Sequence, residues 1–529
     1  MSDEATRPPA ADHETGEAEQ RVRSAVKDCV HCGFCLPACP TYVLWGEEMD
    51  SPRGRIHLVG QLLDGAPLTP ATAGHFDRCL GCMACMTACP SGVQYDQIIE
   101  AAREWTEAGV NPLADGGADS SPLAKRAGGP AAGGRAEDGG GDFGAGDSGT
   151  GDSGTGQAGA GAAGHNGAVA AAPTAPRPLA DRVTRAAIFA LFPYPRRMRV
   201  ATAPLRLAQR IGADRLLARS GLVGKVSPAA GQALRLAPPA RASRPGRFPE
   251  RVPALGTRRA VVGMLTGCVQ SVFYPGVNAA TARVLAAEGC DVIIPRGQGC
   301  CGALSLHSGR AAEAARFAQQ TIATFEAAGV DVIVVNSAGC GSAMKEYERL
   351  FAQLAADGGG QQAARAGASP ALPGQLEAAA WSTRAALLSA KVRDFAEFLD
   401  ELGPVALRRP VPVRAAYHDA CHLGHAQRIT AAPRSLLRAI PGLDLVELRE
   451  AGMCCGSAGV YNLLQPEAAA ALGTRKADSV IESGVSLLIA ANPGCTLQIS
   501  ATLAERGVTM RTAHTAEILD ASINGVPLA

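Results

Sequence analysis

Cys29-Val-His-Cys32-Gly-Phe-Cys35-Leu-Pro-Ala-Cys39-Pro40, a C-x2-C-x2-C-x3-C-P run, returns further along as Cys79-Leu-Gly-Cys82-Met-Ala-Cys85-Met-Thr-Ala-Cys89-Pro90. This spacing lets three thiolates of one tight loop hold three irons of a cubane, while the fourth cysteine reaches across to the other cluster. Read that way, Cys29, Cys32, Cys35 and Cys89 hold one [4Fe–4S] cluster, and Cys79, Cys82, Cys85 and Cys39 hold the second. Gly33 and Gly81 give the loops backbone freedom to bring amides near the sulfurs, and the proline after each fourth cysteine turns the chain away. A pair of structural zinc sites is the alternative, since C-x2-C also suits tetrahedral zinc. Two complete runs ending in Cys-Pro tell against it. Between the runs, the helix-like RGRIHLVGQLLDG (53–65) makes the gap long for two hairpins and suits a helical module. Two adjacent clusters in one small module imply one-electron transport.

The remaining composition narrows the setting. The 529 residues carry 17 cysteines, 50 basic and 49 acidic side chains and 4% aromatics. At roughly 150 residues per domain, three or four domains fit. A net charge of +1 lacks the basic excess of a nucleic-acid binder, so none is expected as a partner. The start, MSDEATRPPAADHETGEAEQ, is acidic and has no apolar core, which argues against a secretory signal. No apolar run approaches the roughly 18 residues of a transmembrane helix. The expectation is a cytoplasmic chain with reduced thiols, whose cysteines serve metals or redox chemistry rather than disulfides.

The cysteines fall in two groups. Eight lie between Cys29 and Cys89, and nine between Cys268 and Cys495. The interval between them includes residues 111–170, with 19 Gly and 14 Ala and the tandem GDSGTGDSGTG. Such a segment cannot bury enough apolar surface to offset its chain entropy, so a disordered linker is expected. From 177 to 247 there are 14 Arg and one Lys against Asp181 and Asp214, with apolar residues at helical spacing. This reads as a helical connector packed on a neighbouring domain; a basic face for a partner or an anionic membrane surface is the sharper alternative.

The second half is a repeat. Cys268, Cys300–Cys301 and Cys340 recur as Cys421, Cys454–Cys455 and Cys495, each copy with Cys-Cys-Gly. In both, short β-branched runs (RAVVGMLTGC, CDVIIP, VDVIVVNSAGC; VRAAYHDAC, LDLVEL, VSLLIAANPGC) alternate with helix-like stretches such as 311–327 and 466–483. That alternation predicts a parallel sheet with covered faces and sites at the strands' carboxyl ends. The segment 356–392 reads as a surface insertion. Cys268, Cys300, Cys301 and Cys340, and separately Cys421, Cys454, Cys455 and Cys495, are candidates for a further iron–sulfur or other metal site, against the alternative that these thiols are structural. His418, His422 and His425 flank Cys421 and read as hydrogen-bonding to sulfur or backbone, with a zinc site using Cys421 and a histidine as the alternative. His307 reads as surface or packing, and Cys290 as a small buried hydrophobe.

CVHCGFCLPACPTYVLWGEEMDSPRGRIHL, RCLGCMACMTACPSGVQYDQII, YHDACHLGHAQRI, CCGSAGVYN and NPGCTLQI together resemble the iron–sulfur subunit of bacterial glycolate oxidase (glycolate dehydrogenase), over roughly 25–110 and 255–520. The resemblance implies an α+β multidomain fold, an α-helical ferredoxin domain followed by two tandem α/β cysteine-rich domains. The expected organisation is a disordered acidic start at 1–20, a two-[4Fe–4S] helical domain at 21–110, a disordered linker at 111–176 and an arginine-rich helical connector at 177–250. Cysteine-rich domains follow at 255–405 and 410–525. The resemblance also implies partner subunits carrying FAD that oxidise glycolate to glyoxylate, with this chain passing electrons to a quinone or another acceptor, in the cytoplasm or peripherally on the inner face of the membrane. Iron–sulfur subunits of D-lactate and glycerol-3-phosphate dehydrogenases share both modules, and a heterodisulfide-reductase-like protein is a further alternative. In the heterodisulfide-reductase relatives each repeat ends in C-x2-C and supplies five thiolates to a non-cubane cluster. Here the extra positions are Ser337 and Asn492, leaving four thiolates per copy.

Overall fold

The structure, a computed structural model, describes residues 17–109, 177–213, 222–238, 248–356 and 375–528. The linker expected at 111–176 lies outside the described residues, as does the start up to residue 16. Residues 17–20 are not part of a disordered tail: they open the helix Glu17–Lys27.

The N-terminal module is built from helices. Ser51 and Thr69 cap the helices Pro52–Leu63 and Pro70–Asp77, their hydroxyls accepting from the amides of Gly54 (2.9 Å) and Thr72 (3.2 Å), and each helix starts on a proline, which lacks an amide hydrogen there. These two helices, with Glu17–Lys27 and Tyr95–Ala108, enclose a core of Val22, Ile56, Val59, Leu62, Phe76, Ile98 and Ile99. Gly54 cannot be larger, since a Cβ there would sit 2.0 Å from the Glu48 carbonyl oxygen.

The repeat forms two sheets. In the first, β1 (Arg251–Val252), β2 (Ala260–Leu265), β3 (Cys290–Ile293), β4 (Val332–Val335) and β5 (Val392–Asp394) lie in the order β1-β3-β2-β4-β5. In the second, β6 (Val413–His418), β7 (Leu443–Val446), β8 (Leu487–Ala490) and β9 (Arg511–Ala513) lie in the order β7-β6-β8-β9. Among the described residues every pairing is parallel except β1 with β3. The continuous apolar runs VIVV and LLIA are what a sheet covered on both faces requires.

One element differs from the sequence reading. The tail of the segment read as a surface insertion is the helix Gln375–Lys391, and it belongs to the core: Ala378, Ala385 and Leu388 are buried, and Trp381 stacks on Phe351 at 5.9 Å. Its alanine-rich composition, following a Gly/Ala-rich stretch, hid an apolar face made of small residues.

The two copies share a strand order, and reciprocal helix packing relates them by a pseudo-twofold. The helix Pro275–Ala287 packs on Thr515–Asn524, and Phe395–Leu402 packs on Ala431–Arg438, so Val284, Leu285, Phe398, Leu399, Leu436, Leu437, Ile518 and Leu519 form one core across both copies. Arg283 pairs with Asp520 at 2.5 Å across this junction. Glu288, fully buried, accepts from the amides of Val405 (2.6 Å) and Ala406 (3.0 Å) and from Arg408 (3.0 Å), which pins the chain between the copies. A buried carboxylate without such partners would cost several kcal/mol.

Candidate functional site

The two cysteine loops of the helical module use the same backbone device. His31 and Gly81, the residues before each second cysteine, have φ of 54° and 65°; Gly33 and Met83, the residues after it, have φ of 84° and 60°. Both positions must be left-handed to fold three cysteines inward, and in each loop one is a non-glycine held there at a cost of about 1–2 kcal/mol. The Gly81 amide donates to the Cys79 sulfur at 3.4 Å. Pro40 starts the short helix Pro40–Trp45 directly after Cys39.

Cys29, Cys32, Cys35 and Cys89 line one small cavity of about 30 Å³, which Cys85 also reaches. The fourth cysteine of the second run therefore lies with the first three of the first. Cys79, Cys82 and Cys85 are buried together, and Cys39 is buried with its charge felt by both Cys82 and Cys85. Burial pushes the Cys35 thiol up to about 11. Burial, reinforced by Cys82, Cys79 and Cys39, pushes Cys85 well above its ordinary value. Buried thiols crowded in this way cannot all ionise unless a bound metal takes up the charge, so the donor sets fit iron–sulfur clusters.

Three arginines that sequence spacing did not single out surround these sulfurs. Arg55 is fully buried, donates to the His75 carbonyl (2.7 Å) and to Thr41 (3.2 Å), and pairs with Asp50 (3.3 Å). Arg103 donates to the Cys79 carbonyl, and Arg53 to the His31 carbonyl at 3.2 Å. Burial alone would raise the Cys79 thiol, but the guanidinium groups of Arg55 and Arg103 bring it below its ordinary value. An isolated arginine carries no motif.

In the repeat, Cys268, Cys340, Cys421 and Cys495 sit at the carboxyl ends of β2, β4, β6 and β8. The Cys268 and Cys300 sulfurs are 3.6 Å apart, and the Gly302 amide donates to Cys300 at 3.3 Å. Gly302 and Gly456 have φ of 85° and 87°. A Cβ there would lie 2.9 Å from the Ala314 oxygen and 2.6 Å from the Ala469 oxygen, so the glycine of Cys-Cys-Gly lets a helix backbone close over the loop. Ser337 and Asn492, where a fifth cysteine would stand, meet each other on the pseudo-twofold: their side-chain oxygens are 3.2 Å apart, and Asn492 donates to the Cys495 sulfur at 3.5 Å.

The histidines divide. His422 Nδ1 lies 3.5 Å from the Cys421 sulfur, and His425 bridges Thr87 (2.9 Å) and the Gly452 carbonyl (2.9 Å), tying the helical module to the second copy. His307, read from sequence as surface or packing, instead faces His422 at 4.9 Å between ring centres and contacts Glu100 at 3.2 Å; burial first, then His422 and Arg103, bring its pKa down to about 3. His418, at the end of β6, is fully buried, its ring close to the sulfurs of Cys455 and Cys495. Cys290 is fully buried on β3, as a small apolar residue would be.

Both cysteine tetrads open onto one cavity of about 530 Å³ that also reaches Leu80 of the helical module. The connector roofs it: Leu191, Phe192, Met198 and Leu205 from helices Leu179–Leu191 and Pro195–Ile211 and the turn between them, with Leu234 and Leu236. Arg177 and Arg185 fasten this roof to Asp77 at 2.6 and 3.2 Å. Leu80, Cys82 and Ala84 pack with Cys421, Cys454 and Tyr461, so the second cysteine loop meets the second copy directly.

Family models match the chain in the same three parts: a 4Fe-4S dicluster domain at 25–93, a glycolate oxidase iron–sulfur subunit linker region at 180–237, and a cysteine-rich domain at 262–345 and again at 415–500. Helical dicluster module, connector and duplicated cysteine-rich pair define an iron–sulfur electron-transfer subunit of an oxidoreductase. The chain is 30% identical over 510 residues to the "Probable glycolate oxidase iron-sulfur subunit" of Bacillus subtilis, covering 95% of each, and 28% identical over 491 residues to the glycolate oxidase iron–sulfur subunit of Escherichia coli, covering 91% of this chain and 92% of that one. It belongs to the glycolate oxidase iron–sulfur subunit family. Lactate utilization protein A of Shouchella clausii matches at 30% identity over 265 residues, 98% of that protein but 49% of this chain. Among the described residues no helix is long and apolar enough to cross a membrane.

Proposed function

We propose that this chain carries electrons out of a glycolate-oxidising complex. FAD on a partner dehydrogenase subunit takes two electrons as glycolate becomes glyoxylate. This chain passes them singly through two [4Fe–4S] clusters, held by Cys29, Cys32, Cys35 and Cys89 and by Cys79, Cys82, Cys85 and Cys39, toward a quinone or other acceptor. The observation that carries the reading is the full-length match, connector included, to subunits named for glycolate oxidase. The lactate-named relative covers half the chain, which makes lactate the weaker choice. The eight cysteines of the repeat are proposed as further metal sites.

When bound, the clusters supply one-electron redox chemistry. The chain's own residues hold the sulfurs in place through the left-handed loop positions, set the local charge through Arg53, Arg55 and Arg103, and keep water from Cys79, Cys82 and Cys85 by burial. The test is Cys32→Ser and Cys82→Ser in the assembled complex. Each should remove one cubane signal from the electron paramagnetic resonance spectrum and stop acceptor reduction, while glycolate still bleaches the partner flavin. Acceptor turnover surviving both changes would refute the relay, and a complex that oxidises lactate but not glycolate would refute the substrate.

A further inference from the structure

The two cysteine tetrads are not equivalent. Cys268 and Cys421 occupy corresponding positions, and three residues before each the first copy has Leu265 and the second His418. Leu265 is an ordinary core residue, packed with Ile333, Val335 and Ile322. His418 takes the corresponding place at the end of β6, is 1% exposed, and finds no oxygen or nitrogen partner for either ring nitrogen; the polar group it reaches is the Cys455 sulfur. It is surrounded not by apolar atoms alone but by sulfur: a His418 nitrogen and the sulfurs of Cys455 and Cys495 all lie within 4.8 Å of one another. A second polar replacement stands beside it. The Gly302 and Gly456 contacts align Ala314 with Ala469, and in that register Lys476 corresponds to Thr321. Lys476 is buried, its ammonium held by the carbonyls of Glu450 (2.7 Å) and Ala451 (3.3 Å). A fixed buried cation suits an anionic metal–thiolate centre, and the corresponding Thr321 of the first copy carries no charge.

We propose that His418 is a metal ligand, and that with Cys455 and Cys495 it makes the second tetrad a mixed imidazole–thiolate iron centre. This rests on the relay reading above and deepens it. Imidazole and thiolate together suit iron or zinc, and the surroundings favour iron, because Cys82 of the second cysteine loop packs against Cys421 and Cys454, the near side of this tetrad. Replacing thiolate by neutral imidazole on iron raises the reduction potential. The centre would therefore accept one electron from the adjacent reduced cluster, its iron passing from ferric to ferrous while that cluster is reoxidised, with no bond made or broken. The second copy becomes the collecting end of the relay, and the first tetrad, all thiolate, does not.

The experiment uses the purified full chain with its native metals. Pulsed electron paramagnetic resonance of wild type should show nitrogen hyperfine coupling from a histidine on an iron signal distinct from the two cubanes. His418→Leu, which installs the residue of the first copy, should lose that coupling and part of the iron. His418→Cys should regain the iron without the coupling and shift the midpoint potential of that signal downward. Wild type with no nitrogen-coupled iron signal, with zinc in place of this iron, or with coupling that survives His418→Leu would overturn the proposal. Cubane signals in all three proteins keep the test separate from the relay reading, which would fail only if they were absent from wild type.

Discussion

The last helix of the chain, Thr515–Asn524, begins on a histidine whose protonation the fold forbids. His514 Nδ1 accepts from the Ala516 amide at 3.0 Å, and Nε2–H donates to the Asn336 carbonyl at 2.9 Å, so the ring is a neutral Nε2–H tautomer with both nitrogens in use. Its burial is complete, and desolvation takes its pKa from 6.5 down to about 4. A base whose folded pKa is depressed contributes stability that is fully present above 6.5 and is lost as pH falls through 4. The difference of about 2.5 units corresponds to about 3 kcal/mol in all, of which about 2 kcal/mol, a 30-fold change in opening equilibrium, is already lost at pH 5. His514→Asn keeps an acceptor for the Ala516 amide, as asparagine caps helices well, but cannot titrate. Hydrogen exchange of amides 516–519, corrected for intrinsic rates, should show wild-type protection falling about 30-fold between pH 7.5 and pH 5 relative to the variant. Equal pH dependence in both proteins would refute the argument, since the buried neutral ring would then contribute nothing.

Gly456→Ala should destabilise the second copy by more than about 2 kcal/mol, from the left-handed backbone and a Cβ 2.6 Å from the Ala469 oxygen; a thermal midpoint equal to wild type would show that the loop can move aside. Arg55→Leu should lower the reduction potential of the cluster beside Cys39 and Cys79 by removing a buried positive charge, and should cost about 1–3 kcal/mol by leaving the His75 carbonyl and Thr41 without their buried donor, Asp50 keeping Arg78 at 2.8 Å. Potentiometric titration and urea unfolding read the two effects separately, and an unchanged potential would mean that Arg55 is structural only.

Much of this architecture was legible in the chain because its signals are local. The two cysteine runs, the repeat, and the six strands β2–β4 and β6–β8 each announce themselves through spacing or a β-branched run. The edge strands β5 and β9 did not, since Val392-Arg393-Asp394 and Arg511-Thr512-Ala513 have no apolar run and become strands only because β4 and β8 offer free edges. The helix Gln375–Lys391 was hidden by composition. At the site, the cysteines could be read but their electrostatic partners could not. Arg55, Arg103, Glu100 and His307 come together from distant parts of the chain, and nothing in the sequence around each one marks it. His418 was noticed for its neighbour Cys421, yet the sulfurs it lies beside are those of Cys455 and Cys495, brought there by β7 and β8.

The reciprocal helix packing between the copies has the geometry of an isologous dimer, the same patch used twice about a twofold axis, here written into one polypeptide. In a true homodimer every substitution at such an interface appears on both sides at once, so the axis can hold only residues that tolerate themselves. Joining the subunits lifts that restriction. Ser337 can face Asn492, and leucine at the end of β2 can coexist with histidine at the end of β6, while one shared core still joins the two halves.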